Sequence, residues 1–568
     1  MDWKGALLMY AKKSTVDLIK ESIQMLLATL LVWLPIVPAQ GQQSDLTAAS
    51  QRIRAEALAH SQIMDYAFYL SDVYGPRLTG SPNFRAAGDW AMRELGQIGL
   101  SEIVKEPIQG FRYGWVNTRF SVAMTAPIFA PLIGAPLAWS SGTEGPVEGE
   151  ATRVDLPPQK MDAVKQFIEK YRGKLRGKIL LLTNPHVLKL QTSPRSLRWS
   201  DSEVAEQTAK AESLAKSPAP ASGPQPQSPN MQEIYMVNDM IQSFFKEEGV
   251  LAMIGDLGDR KMNDGGTFVV QSALLQGPLK VTPGFPPMIV IAAEHYNRVV
   301  RLATRGISVR LRLDVGSNLI DNTPDAFNVI GEIPGGTKKN EIILVGAHLD
   351  SWTGGTGATD NAAGCAVVME VARIFKILDV PLDRTVRFVL WGGEEQGNQG
   401  SLSYVNKHLI DLKRDVARPW QFNTGTPKPD YDKFSSYYNL DEGTGRIRGV
   451  VIGNNYAARS LIEQWLAPVR DLGAIAILPR PGPGSDDASF AAAGLPSFSF
   501  LQDPLEYGTR THHSNMDVYD RLQKDDLIQA AIVLATLVYS DANREIRMPR
   551  AQLPAQRAAQ QFVAGEPR

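Results

Sequence analysis

Three features of the chain predict an α/β fold: a mixed, mainly parallel sheet with helices on both faces, joined by a smaller β-rich module. From Phe327 onward, short apolar runs alternate with amphipathic ones, the rhythm of strand–helix units. Runs such as NEIILVGAH are continuously apolar, as in strands covered on both faces. Acids and histidines fall at the downstream ends of these runs, beyond the carboxyl ends of the strands, where open α/β sheets place their sites.

Length and charge set the frame. The chain has 568 residues, too many for one ordinary core, so two or more domains are expected. The formal net charge is −1, so no overall field draws nucleic acid or an anionic membrane. Nucleic acid is therefore not an expected partner, and no basic patch suggests one. Cys365 is the single cysteine, which excludes an intrachain disulfide. It sits in AAGCAVVMEVARIF and reads as a small buried hydrophobe.

Residues 1–43 read as an export signal. Lys12, Lys13 and Lys20 precede the apolar run IQMLLATLLVWLPIVPA, and AQGQQSD supplies small and polar residues for cleavage. The run is short and punctuated by proline for a membrane span, which leaves an uncleaved signal anchor as the one route to membrane attachment. Periplasmic or extracellular location follows.

Residues 44–125 read as the N-terminal part of the catalytic domain. SDLTAASQRIRAEALAHSQIMDYAFYLSDVYG is helical, a turn follows, and a second helix ends near Gly99. EIVKEPI and FRYGWVNTRFSVAM are strands. At Ala126 the chain becomes rich in Pro and Gly. Residues 126–315 then alternate LRGKILLLTN, FFKEEGVLAMIGD, PPMIVIAAEHYNRVV and SVRLRLDVGS, a sheet-based insert. Within it SLAKSPAPASGPQPQSPN is low in complexity, and the stretch near 190–230 is expected to be a disordered loop. Residues 316–545 form the catalytic domain, and the polar, Pro-interrupted tail 546–568 is expected to be flexible.

The chemistry lies in the catalytic domain. His348 and Asp350 follow IILVG, Glu394 and Glu395 follow VRFVLWGG, Asp441 follows YYNL, and His513 follows EYGTRTHHS. Asp360 begins a helix, where a cap and a ligand are both open readings. Each residue is ordinary alone; their coincidence at one sheet edge is the signal. Nitrogen and oxygen donors without thiolates suit Zn²⁺, with Mn²⁺ or Co²⁺ as substitutes. Two imidazoles, one shared carboxylate and two further carboxylates suffice for two metals, leaving one carboxylate to move a proton. Glu394 and Glu395 suit that division because consecutive side chains point different ways. Asp350, on the same face as His348, is placed to fix its tautomer.

Taken together, GAHLDS, ATDNAAG, LWGGEEQGNQGS, NLDEG, GSDDASF and HHSNMD resemble the di-zinc exopeptidases that include bacterial leucyl aminopeptidases and plasma glutamate carboxypeptidase. RGKILLLTN and KEEGVLAMIGD resemble the protease-associated domain often inserted in them. The resemblance implies that Asp360 bridges two zinc ions. It implies His348 and Asp441 on one, Glu395 and His513 on the other, Glu394 as general base and later acid, and Asp350 orienting His348. His513 is preferred over His512 because it stands four residues before Asp517, the family's His-x-x-x-Asp pattern. Tyr507 is a candidate oxyanion donor, Ser485 with the neighbouring amides a candidate for a substrate terminus, and His512 a rim residue. The segment DLKRDVARPWQFNTGTPKPDYDKFSS departs from the relatives and is expected to be an excursion at the site edge.

The expected function is a zinc-dependent exopeptidase acting on peptides or dipeptides. Its alternatives are a carboxypeptidase or dipeptidase of the plasma glutamate carboxypeptidase type, and a non-catalytic binding ectodomain. A single-zinc glutaminyl cyclase is disfavoured by the full two-metal set. The sequence leaves side-chain specificity and oligomeric state open.

Overall fold

The computed structural model describes residues 40–216, 231–255, 268–271, 285–414 and 422–551. The expected signal at 1–43 falls almost wholly outside these residues, as does the expected tail from 552 onward.

Eight strands form the sheet that carries the site. Their order is Ser101–Pro107, Phe327–Ile333, Arg384–Trp391, Lys338–His348, Phe434–Asn439, Ser497–Gln502, Ile447–Val451 and Ala476–Leu478. The four central strands, from Arg384–Trp391 to Ser497–Gln502, run parallel, and antiparallel neighbours flank them. Register aligns their ends. His348 pairs with Trp391 and Gly346 with Asn439, so Asp441 comes level with His348 two residues past its own strand.

The continuous apolar runs are explained by cover on both faces. On one side Leu344, Val389, Trp391 and Tyr437 pack against Tyr404 and Phe490 from short helices. On the other, the helices Ala363–Ile377 and Lys524–Ala542 pack on each other and on Lys338–His348. Residues 363–375 are buried without a break, Cys365 among them, and burial pushes its thiol up to about 12. An inert packed thiol is what the sequence predicts.

A second eight-stranded sheet is built from chain lying between Ser101–Pro107 and Phe327–Ile333 of the first. Val147–Arg153, Lys178–Leu181, Ala252–Gly255 and Met288–Ile291 run parallel at its centre. Its core joins Ile179, Leu181, Ile254, Ile289, Leu311 and Leu313 to Tyr296 and Val299 of a covering helix. Gly114–Ala126 belongs to this sheet, paired along its length with Arg310–Ile320. The second sheet therefore begins before Ala126, because the Pro-rich composition change marks a loop rather than the change of sheet.

Two expectations of disorder are corrected. Asp201–Lys216 is a helix. Its start carries a reciprocal cap: the Ser200 amide donates to Glu203 Oε2 at 2.7 Å and the Glu203 amide to Ser200 Oγ at 3.3 Å. Val204 and Ala211 bury its inner side beside Val451 and Leu478. The rest of that low-complexity stretch, 217–230, lies outside the described residues. Residues 546–551 are docked rather than frayed: Met548 is buried and Asn455 Nδ2 donates to Pro549 O at 2.6 Å. The excursion before Asp441 forms a small antiparallel pair, Ile410–Arg414 with Phe422–Pro427.

Candidate metal centre and active site

The strand ends bring the predicted donors together. His348 is the last residue of its strand and is 1% exposed. Its Nε2 lies 3.1 Å from Asp360 Oδ1 and 3.1 Å from Asp441 Oδ1. His513 Nε2 lies 3.4 Å from Asp360 Oδ2 and 3.0 Å from Glu395 Oε2. The Asp360 carboxylate thus stands between two histidines, each of which meets a carboxylate of its own.

The local chain explains why Asp360 is free for this. The helix behind it begins only at Ala363, and Asp360 itself is non-helical at φ −132° and ψ 85°. Asn361 does the tying instead: its Oδ1 accepts the Gly364 amide at 2.9 Å and its Nδ2 donates to Leu440 O at 2.9 Å. Gly364 is needed there, since a Cβ would come within 2.5 Å of Leu440 O. Asp360 is thus no side-chain cap. Its amide donates to Asp517 Oδ2 at 3.2 Å, and the Thr359 amide to Asp517 Oδ1 at 2.6 Å.

Asp350 is fully buried, but its carboxylate does not do what its spacing suggests. His348 Nδ1 donates to the Asp350 backbone carbonyl at 3.0 Å, while the nearer carboxylate oxygen stands 3.6 Å away. The carboxylate instead accepts the amides of Glu394 at 3.2 Å and Glu395 at 3.3 Å. One residue therefore holds the imidazole with its main chain and the glutamate pair with its side chain.

The other candidates divide. His512 stacks on His513 with ring centroids 3.7 Å apart, and both present a nitrogen near Asp360. His513 Nε2 is also drawn to Glu395 at 3.0 Å. Tyr507 lies edge-on to His512, and burial, reinforced by Asp360 and Asp441, pushes its hydroxyl well above the usual range. It stays a donor at any working pH. Ser485 is corrected: it is buried, and its Oγ accepts Asn439 Nδ2 at 3.1 Å, so its hydroxyl braces a strand end rather than facing a substrate.

Two further contributors were not assigned a role from sequence. Arg77, wholly buried, donates to Leu349 O at 2.7 Å, Thr356 O at 2.9 Å and Gly357 O at 2.8 Å. It grips the loop between His348 and Asp360 at both ends, from a turn over two hundred residues upstream. Asp486 is likewise fully buried behind the site. Burial pushes Glu394 well above the ordinary carboxyl range, opposed by His348 and reinforced by Asp441, Asp486 and Glu395.

The residues fit a metal. Asp360 Oδ2 and Glu395 Oε1 are buried oxygens with no hydrogen-bond partner, and buried polar atoms are rarely left so. His348, Asp360 and Asp441 each present a ligand atom within 4.8 Å of the others. A narrow recess lined by Trp352, Asp360, Glu395 and His513 opens onto the donors, and a larger cavity of about 330 Å³ reaches Thr359 and Tyr507 from beside them.

Residues 328–538, which hold every predicted donor, match Peptidase family M28. Human Carboxypeptidase Q is 26% identical over 89% of this chain and 90% of its own length. Aminopeptidase YwaD of Bacillus subtilis is 31% identical over 38% of this chain and 45% of its own. A crystal structure of a peptidase M28 precursor from Shewanella amazonensis superposes with a TM-score of 0.61 at 23% identity, covering 90% of this chain and 100% of that one. At that identity it establishes the shared fold. The match over residues 328–538, the relatives and the site agree: the chain is a metallo-exopeptidase.

Proposed function

We propose that this is an exported zinc exopeptidase that hydrolyses the terminal peptide bond of peptides or dipeptides with two metals per chain. One observation carries the reading: the Asp360 carboxylate shared between His348 at 3.1 Å and His513 at 3.4 Å. On this reading Asp360 bridges, His348 and Asp441 hold one ion, and Glu395 and His513 hold the other. Zinc supplies Lewis acidity toward the scissile carbonyl and toward water. Glu394 takes the proton of the attacking water and returns it to the leaving amine, and its raised affinity for a proton suits both transfers. Tyr507, kept protonated, donates to the developing oxyanion.

A carboxypeptidase or dipeptidase specificity is the second reading. It is favoured because the relative named a carboxypeptidase aligns over 89% of this chain, second sheet included, whereas the one named an aminopeptidase aligns over 38%. Export rests on the charged, apolar and small-residue sequence of residues 1–43. Among the described residues no helix is long and apolar enough to cross a membrane.

The test is hydrolysis of aminoacyl-arylamides, free dipeptides and N-blocked dipeptides, each with a chelator and with Zn²⁺ restored. Metal-dependent cleavage confined to free amines identifies an aminopeptidase or dipeptidase. Cleavage of N-blocked dipeptides identifies a carboxypeptidase. Turnover that survives complete metal removal would overturn the proposal.

A further inference from the structure

The loop at residues 505–517 carries Tyr507, His512 and His513, and it does not stand by itself. Near its start, Leu197 and Leu505 exchange backbone hydrogen bonds of 3.0 and 2.8 Å, and Thr509 Oγ1 donates to Arg195 O at 2.7 Å. Near its end, the Asn515 amide donates to Val270 O at 3.0 Å, its Oδ1 accepts the Val270 amide at 2.7 Å, and its Nδ2 donates to Phe268 O at 3.2 Å. Gln271 and Ser514 form an isolated bridge beside them. Both partner segments come from the stretch of chain that builds the second sheet, and Val270 is buried among Ala135, Leu137 and Val290 of that sheet.

Between these anchors the chain does something costly. His513 sits at φ +58°, in the left-handed region that a residue with a side chain seldom occupies. Such a conformation persists only where the surroundings over-determine it. Here the surroundings are the two clamps, one of which begins two residues after His513.

We propose that the second-sheet segment is a positioning element of the metal centre, holding the loop at both ends so that His513 keeps its strained backbone and aims its imidazole at Asp360 and Glu395. Asn515 is the positioning residue through which the clamp acts most directly. This inference rests on the assignment of His513 as a metal ligand.

The experiment titrates the metal-free, full-length protein with Zn²⁺ or Co²⁺, reading stoichiometry and affinity for wild type, Asn515→Ala and Asn515→Asp. Removing a partner that orients a ligand typically weakens metal binding about 10- to 100-fold. Asn515→Ala is expected to weaken one of the two binding events by that factor and leave the other within about twofold. Asn515→Asp retains the acceptor for Val270 but not the donor to Phe268, so its loss is expected to be smaller. A wild-type protein that fails to bind two equivalents would overturn the metal assignment itself. Two equivalents in the wild type, with both affinities unchanged in both variants, would overturn the clamp alone. Thermal unfolding of the metal-free forms identifies a folding failure, and a misfolded alanine variant leaves the aspartate variant to decide.

Discussion

Asp350→Asn separates two ways in which a buried carboxylate can serve this site. If its carboxylate acted on His348, the variant would bind metal less tightly, and full activity would return at saturating metal. The geometry says otherwise, since the carboxylate accepts the Glu394 and Glu395 amides at 3.2 and 3.3 Å and lies 3.6 Å from the imidazole. Asparagine keeps one acceptor oxygen and turns an NH₂ group toward the other amide. Hydrogen bonds to charged groups contribute about 1.5–3 kcal/mol and neutral ones about 0.5–1.5, so one bond is weakened and one lost, a cost of roughly 2.5–4.5 kcal/mol. If that cost is expressed as misplacement of the Glu394 carboxylate in the transition state, kcat falls about 70- to 2,000-fold. The assay is steady-state kinetics over a metal series, with metal content measured on the same samples. A kcat that recovers fully at saturating metal, or stays within twofold throughout, would refute the assignment of Asp350 to the glutamate pair.

Two further outcomes follow from the same contacts. Asp517→Ala leaves the buried Thr359 and Asp360 amides without their acceptors, which costs about 1–3 kcal/mol each, and it frees Asp360 to turn; weaker binding of both metals is expected in a calorimetric titration, and unchanged binding of both would contradict the bridging role. The metal-free protein is expected to lose stability as pH rises. Burial pushes Asp517 and Glu442 up to about 7 and Asp487 to about 8, so the folded form keeps protons that the unfolded chain releases near pH 4, and the deficit grows until pH passes the folded values. His348 adds the same sign: burial opposes its charge, but the neighbouring Asp441 and Asp360 carboxylates help to outweigh it, and the stability they lend is lost as pH climbs through its raised value. Metal must displace the His348 proton, so affinity should rise with pH and binding should release protons in calorimetry across buffers; a metal-free melting temperature that rises between pH 5 and 9 would contradict the stability trend.

That His348, Asp360, Glu395, Asp441 and His513 converge was legible in the sequence because each lies within a few positions of an apolar strand or helix start, and strand ends in a parallel sheet come together. The choice of His513 over His512 agrees with its contact to Glu395. What was not legible is who supports whom. The grip of Arg77 on residues 349–357, of Asp350 on Glu394 and Glu395, and of Asn515 on Val270 spans tens to hundreds of residues, and no local pattern encodes it. The helix Asp201–Lys216 is a different kind of miss. Its Ser200-x-x-Glu203 cap is present in the sequence, but the Pro- and Ser-rich stretch beside it gives the whole region a disordered composition. Ser485 shows the converse, a polar residue in a Gly-rich turn that faces inward because Asn439 needs an acceptor.

The central claim is that a carboxylate beside two bound metals, and not itself a ligand, moves the proton. The most direct measurement is metal content and kcat of Glu394→Gln on the same preparation. The account predicts two metals per chain, as in the wild type, with kcat reduced about 10²- to 10⁴-fold, the usual contribution of a general base. Turnover near the wild-type rate, or a variant that no longer holds its metals, would contradict it.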